Sequence, residues 1–385
     1  MSTRKLIKYD EKYVSTIFAL NNNGVLCYLN SLIQSLLSCP TFNFRLLKNK
    51  DKYAGTPHPA NEYINLYEKH TNGKINQIDD AYAILRELYS FRKSLGSDHL
   101  LSLSRQEDIH EGLILFLDTL STTTLSNHNL SVDMLFHNRY KCEINCRKCG
   151  DKRIPGDKNY EEPPEVVIDL SEESPSIQNI TSKESMENHI LRNIQIPRDY
   201  KCEKCGAQNT FNPTTGKIDN NIYQMYNLVR LSEIVVLLFK KYKKKHQIYF
   251  PQTMEFKSTS GILKYKIVAQ VEHYGNMFGG HYITKCLRKK PSNFYLERKQ
   301  NYEKLLEIYI NKLKTLLVNY SENDESAKQN LINKIKEIKK NMNENDINKN
   351  DSYGVFLFND SYVQYCSEGF IPTKDSYMVF YHLYE

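Results

Sequence analysis

The sequence predicts an α+β fold, with a helical first third followed by a mainly β-stranded remainder. Up to about residue 135, apolar residues recur at helical spacing. From residue 136 onward, short strand-like runs are separated by Cys, Gly and Pro. A chain of 385 residues that is 40% hydrophobic can bury a large core. We therefore expect a globular protein and not a disordered one.

The first predicted helix follows Cys27. The run NSLIQSLLSC, which starts at Asn30, places Leu and Ile side chains on one face, and Pro40 ends it because proline cannot continue a helix. Cys27 is therefore expected just before this helix or in its first turn. A lone cysteine in that position is usually a small buried side chain, so any reactivity has to be argued from its neighbours.

Further elements follow the same periodicities. DDAYAILRELYSFRKSL and SRQEDIHEGLILFLDTLS predict amphipathic helices, the second opened by a capping box of Ser104 and Glu107. Strands are predicted from EVVIDL, LSEIVVLLFKKY, KYKIVAQVEHY and YMVFYHLY. The polar, Lys/Asn/Glu-rich segment 288–350 keeps helical spacing on both sides of SENDES. It predicts a helical hairpin inserted into the β-rich part.

Composition and charge exclude several classes of protein. The net charge of +7 results from 52 basic and 45 acidic residues that are interspersed, which does not resemble the basic stripe of a nucleic-acid-binding surface. No run approaches the ~20 apolar residues that span a bilayer, and the start of the chain lacks the apolar core of a secretory signal. We expect a cytoplasmic or nuclear protein that binds neither nucleic acid nor membrane.

Two Cys-x-x-Cys pairs indicate a metal site. Cys146 and Cys149, and then Cys202 and Cys205, are each followed at once by glycine, as in zinc knuckles. Four thiolates would complete a closed tetrahedral site, so we expect one structural Zn²⁺ per chain. The alternatives are four free cysteines or a redox dithiol. A zinc-ribbon nucleic-acid-binding protein also remains open, given the same pairs and the positive charge.

The residues around Cys27 favour a nucleophile. Gly24 permits a tight loop, and the helix that follows directs its unpaired amides and positive dipole end at the sulfur. This field favours the thiolate, which is the form that attacks carbonyl groups. Asn22, on the preceding loop, carries an amide that is placed to donate a hydrogen bond to an oxyanion.

This segment resembles the cysteine box of the ubiquitin-specific proteases, Gly-Leu-x-Asn-x-Gly-Asn-Thr-Cys-Tyr-x-Asn-Ser-x-x-Gln. The residues that match are Leu20, Asn22, Gly24, Cys27, Tyr28, Asn30, Ser31 and Gln34. The departures are Ala19 for Gly, Val25 for Asn and Leu26 for Thr. None of them removes the cysteine or the asparagine.

The resemblance continues in order along almost the whole chain. QEDIHEGLILFLDTL is similar to the family's Gln-Gln-Asp-Ala-His-Glu-Phe helix, and LFHNRYKCEINCRKC to the segment before its first zinc knuckle. AQVEHYGNMFGGHYITKC resembles the histidine box, FLFNDSYV the box of the third catalytic residue, and SYMVFYHLY the closing strand. Several independent motifs in the family's order make a chance match improbable.

The resemblance implies a catalytic triad. Cys27 would be the nucleophile and His281 its general base, with Gly279 and Gly280 allowing close backbone approach. Asn359 takes the orienting position, where many members of the family have Asp. Asparagine can accept a proton from the imidazole but cannot stabilise imidazolium by charge, so we expect neighbouring Asp360 to share this role.

The resemblance also implies a papain-like cysteine protease core. Residues 1–13 would be a tail, 14–135 a helical thumb, 136–225 zinc-bearing β fingers, and 226–385 mainly a β-rich palm. The implied activity is that of a monomeric thiol-dependent deubiquitinase. It would hydrolyse the bond after the C-terminal glycine of ubiquitin on protein conjugates through a Cys27 thioester. The alternatives are a catalytically weak ubiquitin-binding module, suggested by Val25 and Leu26, and the same chemistry on another ubiquitin-like modifier.

Overall fold

The structure is a computed structural model. It describes residues 17–55, 57–71, 78–122, 132–154, 160–169, 180–195, 200–212, 217–218, 221–240, 248–259, 261–276, 279–291, 294–318, 324–347 and 352–385. The predicted tail, 1–13, and the first residues of the predicted thumb, 14–16, lie outside this part. The chain divides into two compact units, Met1–Arg288 with Val355–Glu385, and Lys289–Gly354.

The first unit carries α1 Cys27–Leu37, α2 Pro40–Lys48, α3 Lys50–Tyr53, α4 Pro59–Thr71, α5 Tyr82–Ser94, α6 Ile109–Thr122 and α7 Lys183–Leu191. Helix α1 packs against α6, and every one of its residues is buried, not only the predicted apolar face. Its polar side chains find partners: Gln34 Nε2 donates to the carbonyl of Phe18 at 2.9 Å, and Ser35 Oγ donates to the carbonyl of Ser31 at 2.7 Å. These bonds allow polar residues to lie inside the core.

The start of α6 differs from the prediction. The helix begins at Ile109, and its first turn is capped by Asp108, whose Oδ1 accepts from the backbone N–H of His110 at 2.7 Å. Glu107 instead accepts from the backbone of Ser102. The predicted capping box of Ser104 and Glu107 is therefore wrong, because the acid that it needed turns back to the preceding loop.

The strands are β1 Ala19–Leu20, β2 Ile78–Asp79, β3 Arg139–Cys146, β4 Lys152–Arg153, β5 Tyr160–Glu161, β6 Glu165–Asp169, β7 Arg192–Gln195, β8 Phe211–Asn212, β9 Lys217–Ile218, β10 Ile222–Arg230, β11 Ile234–Lys240, β12 Thr253–Ser258, β13 Gly261–Asn276, β14 Gly279–Lys289, β15 Tyr353–Asn359, β16 Tyr362–Cys366 and β17 Ser376–Leu383. Two larger sheets form from them. One has the order β4-β3-β10-β7, with β5 also paired to β3. The other has the order β16-β15-β14-β13-β17-β11-β6, with β12 also paired to β13.

The larger sheet positions the site. Strands β13 and β14 are antiparallel, with Tyr274 opposite His281, and β15 is the other neighbour of β14. The strand that carries His281 therefore lies beside the strand that ends at Asn359. Helix α1, with Cys27 at its first position, packs against β13 of the same sheet. The predicted α+β class and the β-rich second half are confirmed.

The second unit contains α8 Phe294–Val318 and α9 Glu325–Ile347, the two helices expected within 288–350. Its two ends meet, because the backbone N–H of Lys290 donates to the carbonyl of Ser352 at 2.8 Å. Among the described helices, α8 and α9 included, none combines the length and the apolar character that crossing a membrane requires. The division into thumb, fingers and palm stays a prediction.

Candidate active site

Cys27 is the first residue of α1 and is only 3% exposed. Its sulfur accepts a hydrogen bond from Gln106 Nε2 at 3.3 Å. The backbone N–H of Tyr282, the residue after His281, also faces the sulfur. The sulfur of the nucleophile expected from the sequence is therefore contacted by groups from two distant parts of the chain.

Burial raises the pKa of the Cys27 thiol above its ordinary value, and the nearby charge of Asp360 raises it further. The backbone N–H groups of Tyr282, Tyr28 and Cys27 itself act in the opposite direction. The stabilising field expected at the helix start is thus present, but removal of the sulfur from water outweighs it. A thiol in this state needs a base to become a nucleophile.

His281 is held by the residue expected to orient it. Its Nε2 lies 2.7 Å from Oδ1 of Asn359. An amide oxygen only accepts hydrogen bonds, so Nε2 carries the proton and Nδ1 keeps its lone pair. Asp360 Oδ2 lies 3.8 Å from the same Nε2. The ring is therefore fixed in the tautomer that can accept a proton at Nδ1.

Gly280 allows the close approach that is expected before His281, but the same expectation for Gly279 is wrong, because a Cβ there would meet no atom within 4 Å. A Cβ at Gly280 would lie 2.4 Å from Nε2 of His273 and 2.6 Å from the carbonyl oxygen of Tyr274. His273 in turn stacks on the ring of Tyr282, with 4.4 Å between the ring centroids. Any side chain at position 280 would therefore displace the strand that carries the base.

Asp360 connects the end of β15 to the loop before α1. Its Oδ2 accepts from Asn22 Nδ2 and its Oδ1 from Asn30 Nδ2, both at 2.8 Å. Its backbone carbonyl accepts from the N–H of Leu20 at 3.2 Å. The residue has a φ of 50°, in the left-handed region that Asp tolerates better than most residues. The carboxylate thus contacts both the expected oxyanion donor and the helix of the nucleophile.

Asn22 has a fixed orientation. Its Oδ1 accepts from the backbone N–H groups of Gly24 and Leu26, each at 2.9 Å, so Nδ2 must point the other way. An amide nitrogen carries two protons. One is directed to Asp360, and the second has no hydrogen-bond partner among the residues that the structure describes.

Gln106 is the contact that sequence reasoning missed. It opens the QEDIHEG segment, which resembles the family's Gln-Gln-Asp helix, but the sequence analysis gives this glutamine no chemical role. The available signal was that motif itself. Its contact with Cys27 joins residues 79 positions apart, which no local periodicity reveals.

The four cysteines of the two Cys-x-x-Cys pairs come together as one cluster. Their sulfurs all lie within 4.8 Å of one another, with Cys146 and Cys205 at 3.6 Å and Cys149 and Cys202 at 3.7 Å. These distances are far longer than a disulfide bond. A tetrahedron with metal–sulfur bonds of about 2.3 Å has sulfur–sulfur edges of about 3.8 Å. The cluster therefore fits a tetrahedral zinc-type ion.

The backbone of each pair is shaped as a knuckle. Gly150 and Gly206 have φ of 70° and 71°, and their N–H groups donate to the carbonyls of Cys146 and Cys202. Such left-handed turns favour glycine. Cys142, which also lies on β3, is not part of the cluster and accepts from Gln224 Nε2 at 3.4 Å.

Comparisons with known proteins agree with this geometry. A family model described as ubiquitin carboxyl-terminal hydrolase matches residues 18–381. No curated protein sequence matches the chain. Among solved structures, the SAGA DUB module of Ubp8, Sgf11, Sus1 and Sgf73 bound to monoubiquitin has a TM-score of 0.56 at 14% identity, and the match covers 100% of this chain and 72% of that one.

Two further structures show the same fold. A yeast SAGA DUB module gives a TM-score of 0.56 at 13% identity, with coverage of 100% of this chain and 72% of that one. The Ubp8 module bound to ubiquitin aldehyde gives 0.55 at 13% identity, with coverage of 100% and 73%. At these identities the structures establish the likeness of fold alone.

Proposed function

The chain belongs to the ubiquitin carboxyl-terminal hydrolase family and is a deubiquitinating cysteine protease, and we propose that Cys27 is its nucleophile and His281 its general base. The observation that carries this assignment is the 2.7 Å hydrogen bond between His281 Nε2 and Asn359 Oδ1. It leaves His281 Nδ1 as a proton acceptor. The next residue on the same strand, Tyr282, contacts the Cys27 sulfur through its backbone N–H. A base oriented by a third residue is the arrangement that activates a thiol.

In the proposed reaction His281 Nδ1 takes the proton from Cys27, and the thiolate attacks the carbonyl of ubiquitin's C-terminal glycine. The second Asn22 Nδ2 proton and the backbone N–H of Cys27 donate to the oxyanion that forms. The imidazolium then gives its proton to the leaving amine. This collapse produces a thioester on Cys27, which water hydrolyses with His281 again as base.

Asp360 and Gln106 support these steps. The carboxylate of Asp360 supplies the negative charge that Asn359 lacks, close to the imidazolium formed at His281. Gln106 donates to the sulfur, and this bond strengthens when the sulfur becomes an anion. Gln106 therefore favours the thiolate, whereas Asp360 favours the imidazolium at His281 although its charge also raises the pKa of the Cys27 thiol.

The cysteine cluster is proposed to hold one structural Zn²⁺ per chain, in keeping with its sulfur spacing. A closed site with four sulfur ligands leaves no position for substrate, so its contribution is to folding. We propose ubiquitin and ubiquitinated proteins as the partners, which is supported by the ubiquitin-bound neighbours of the same fold. The monomeric state, the lack of nucleic-acid or membrane binding, and a cytoplasmic or nuclear location stay predictions from sequence.

The test is hydrolysis of a fluorogenic amide at the ubiquitin C-terminus, together with labelling by ubiquitin that ends in an electrophile. We expect turnover by the wild-type chain, adduct formation at Cys27 in peptide mapping, and loss of both in Cys27→Ala with ubiquitin binding retained. Turnover by Cys27→Ala would overturn the assignment, and Cys39 or Cys286 would have to be considered. Probes ending in other ubiquitin-like modifiers establish which modifier is preferred.

A further inference from the structure

Arg288 is the largest fully buried side chain in the described part of the molecule, at 0% exposure. It lies on β14, the strand that carries His281. Among the described residues, no carboxylate forms an ion pair with it. An isolated buried cation is costly unless its donors are satisfied, so the contacts of this guanidinium indicate what it does.

The guanidinium is bonded to the helix that carries the nucleophile. Arg288 Nη2 donates to both the backbone carbonyl and the side-chain Oε1 of Gln34, each at 2.7 Å. Nη1 donates to Ser38 Oγ and to the carbonyl of Leu287. Gln34 lies in α1, and Ser38 is the C-cap residue of the same helix. The position of α1 along its axis is therefore fixed relative to β14.

The same side chain contacts the third element of the site. The guanidinium carbon of Arg288 lies 4.9 Å from the ring centroid of Phe358. Phe358 is buried on β15 and directly precedes Asn359. One planar cation thus touches all three elements that carry Cys27, His281 and Asn359.

The titratable groups around Arg288 are two thiols and a phenol. Cys286, Tyr63 and Cys39 are the titratable side chains that face it, and burial lowers the pKa of the guanidinium. Arginine keeps its charge in such a setting better than lysine does, and its rigid fork can bond two acceptors at once. The contacts of the guanidinium therefore connect α1, β14 and β15, and they do not pair it with an opposite charge.

We propose that Arg288 is a positioning residue for catalysis, a buried clamp that sets the distance between the Cys27 sulfur and the His281 imidazole by tying α1, β14 and β15 together. This role rests on the proposed function of Cys27 and His281. Small displacements of reacting groups can lower rates by as much as roughly a hundred-fold, so loss of the clamp is expected to affect the chemical step more than ubiquitin binding.

The experiment uses the full chain with Arg288→Met, Arg288→Lys and Ser38→Ala. Ile190→Ala serves as a matched control, because Ile190 is fully buried on α7, whose main contacts are with β7, β10 and β12. Three quantities are measured for each: the melting temperature, kcat and KM on a ubiquitin fluorogenic amide, and the rate of Cys27 alkylation by iodoacetamide against pH. The alkylation rate reports formation of the thiolate and does not require ubiquitin.

We expect Arg288→Met to lower both kcat and neutral-pH alkylation of Cys27 by roughly ten- to a hundred-fold, with KM within about two-fold of wild type. Arg288→Lys should retain part of the rate, and Ser38→Ala should show a smaller loss in the same direction. Ile190→Ala should lower the melting temperature with an unchanged alkylation profile.

Wild-type alkylation and kcat in Arg288→Met, at a temperature where it is folded, would overturn the proposal. If that variant does not fold, wild-type profiles in both Arg288→Lys and Ser38→Ala would overturn it instead. Failure of the proposed function has a different signature: wild-type Cys27 would alkylate no faster than the half-buried Cys366, and no ubiquitin amide would be cleaved.

Discussion

Asn22 donates a hydrogen bond through Nδ2 to Oδ2 of Asp360 at 2.8 Å, although the two residues are 338 positions apart. The bond places a carboxylate directly behind the proposed oxyanion donor. The amide also accepts two hydrogen bonds through Oδ1, and bonds that an amide accepts and donates strengthen one another. It also holds the loop before α1 against the end of β15.

Loss of Asp360 is expected to slow turnover at least as much as loss of Asn359. The carboxylate of Asp360 contacts Asn22 and lies 3.8 Å from His281 Nε2, whereas the only role assigned to Asn359 is to orient the imidazole ring. Rates against pH are measured for Asp360→Ala, Asn359→Ala and Asn359→Asp. We expect the last to be tolerated, because a carboxylate oxygen can replace the amide oxygen.

Asp360→Asn is the matched control, since it keeps the shape of the side chain and tolerates the φ of 50° at this position. A slow Asp360→Asn shows that the charge matters. If Asp360→Ala turns over like wild type, the carboxylate is structural and Asn359 alone orients the base.

Asn22→Ala should lower kcat by roughly a hundred-fold with little change in KM, the scale typical of losing one oxyanion donor. The same change removes the acceptor for the N–H groups of Gly24 and Leu26, so melting temperature has to be measured alongside. Steady-state kinetics on the ubiquitin amide separate the two effects. A raised KM with unchanged kcat would mean that Asn22 positions substrate instead.

Gln106→Ala is expected to make Cys27 harder to ionise. The Gln106 amide donates to the sulfur, and a donor stabilises the thiolate more than the thiol, so its loss raises the thiol pKa further. The acid limb of kcat/KM against pH should therefore move to higher pH. Arg105→Ala, at the exposed neighbouring position, is the control and should leave the profile unchanged. An unshifted limb in Gln106→Ala would assign that residue to packing alone.

Metal analysis of purified protein should find one zinc per chain, and Cys202→Ser should lower both zinc content and melting temperature. Binding free energy at a closed four-sulfur site contributes to folding, so chelation should destabilise the wild type in the same way. Cys142→Ser is the control: Cys142 lies near the first pair but outside the cluster, and its loss should leave zinc content unchanged. If chelation removes all metal from the wild type without changing its melting temperature, a structural zinc is excluded.

Stability should decline as pH falls below about 6.5. Burial lowers the pKa of His58 to about 4 and of His382 to about 3, so both stay neutral when folded but bind protons when unfolded. Their contribution is complete above the unfolded pKa and is lost as pH falls toward these values, by up to about 1.4 kcal/mol per pH unit for each. Urea midpoints between pH 7 and 4.5 measure the slope. The slope should be shallower in His58→Gln than in the wild type. An equal slope would show that His58 does not contribute to the pH dependence of stability.

The sequence predicts the position of Cys27 because helical periodicity, a loop glycine and a helix start are local features. It predicts the His281–Asn359 pair only through the resemblance, because no local pattern shows that β14 and β15 are neighbours. The contacts of Cys27 with Gln106 and of Asn22 with Asp360 were not foreseen in their detail. They join distant segments whose separation is set by packing and not by periodicity.

Helix α1 shows a second limit of pattern reading. The sequence predicts only an apolar face for this helix, yet the polar residues Asn30, Gln34 and Ser35 are all buried as well. Each has a partner elsewhere in the fold: Asp360 for Asn30, Arg288 for Gln34 and Thr284 for Ser35. A sequence records which side chains are polar, but their partners become known only when the tertiary structure brings them together.

The hydrogen bond between Lys290 and Ser352 has a consequence for how the chain folds. Pairing of β14 with β15 has to close the segment that contains α8 and α9, and the entropy lost in closing a flexible loop grows with its length, by about 0.6 kcal/mol per doubling. Contacts between two consecutive helices are local and form early. Once the hairpin has formed, its ends are already together, and the closure that remains is effectively a short one. The entropy lost when β14 pairs with β15, the strands that carry His281 and Asn359, therefore does not depend on the length of the two helices between them.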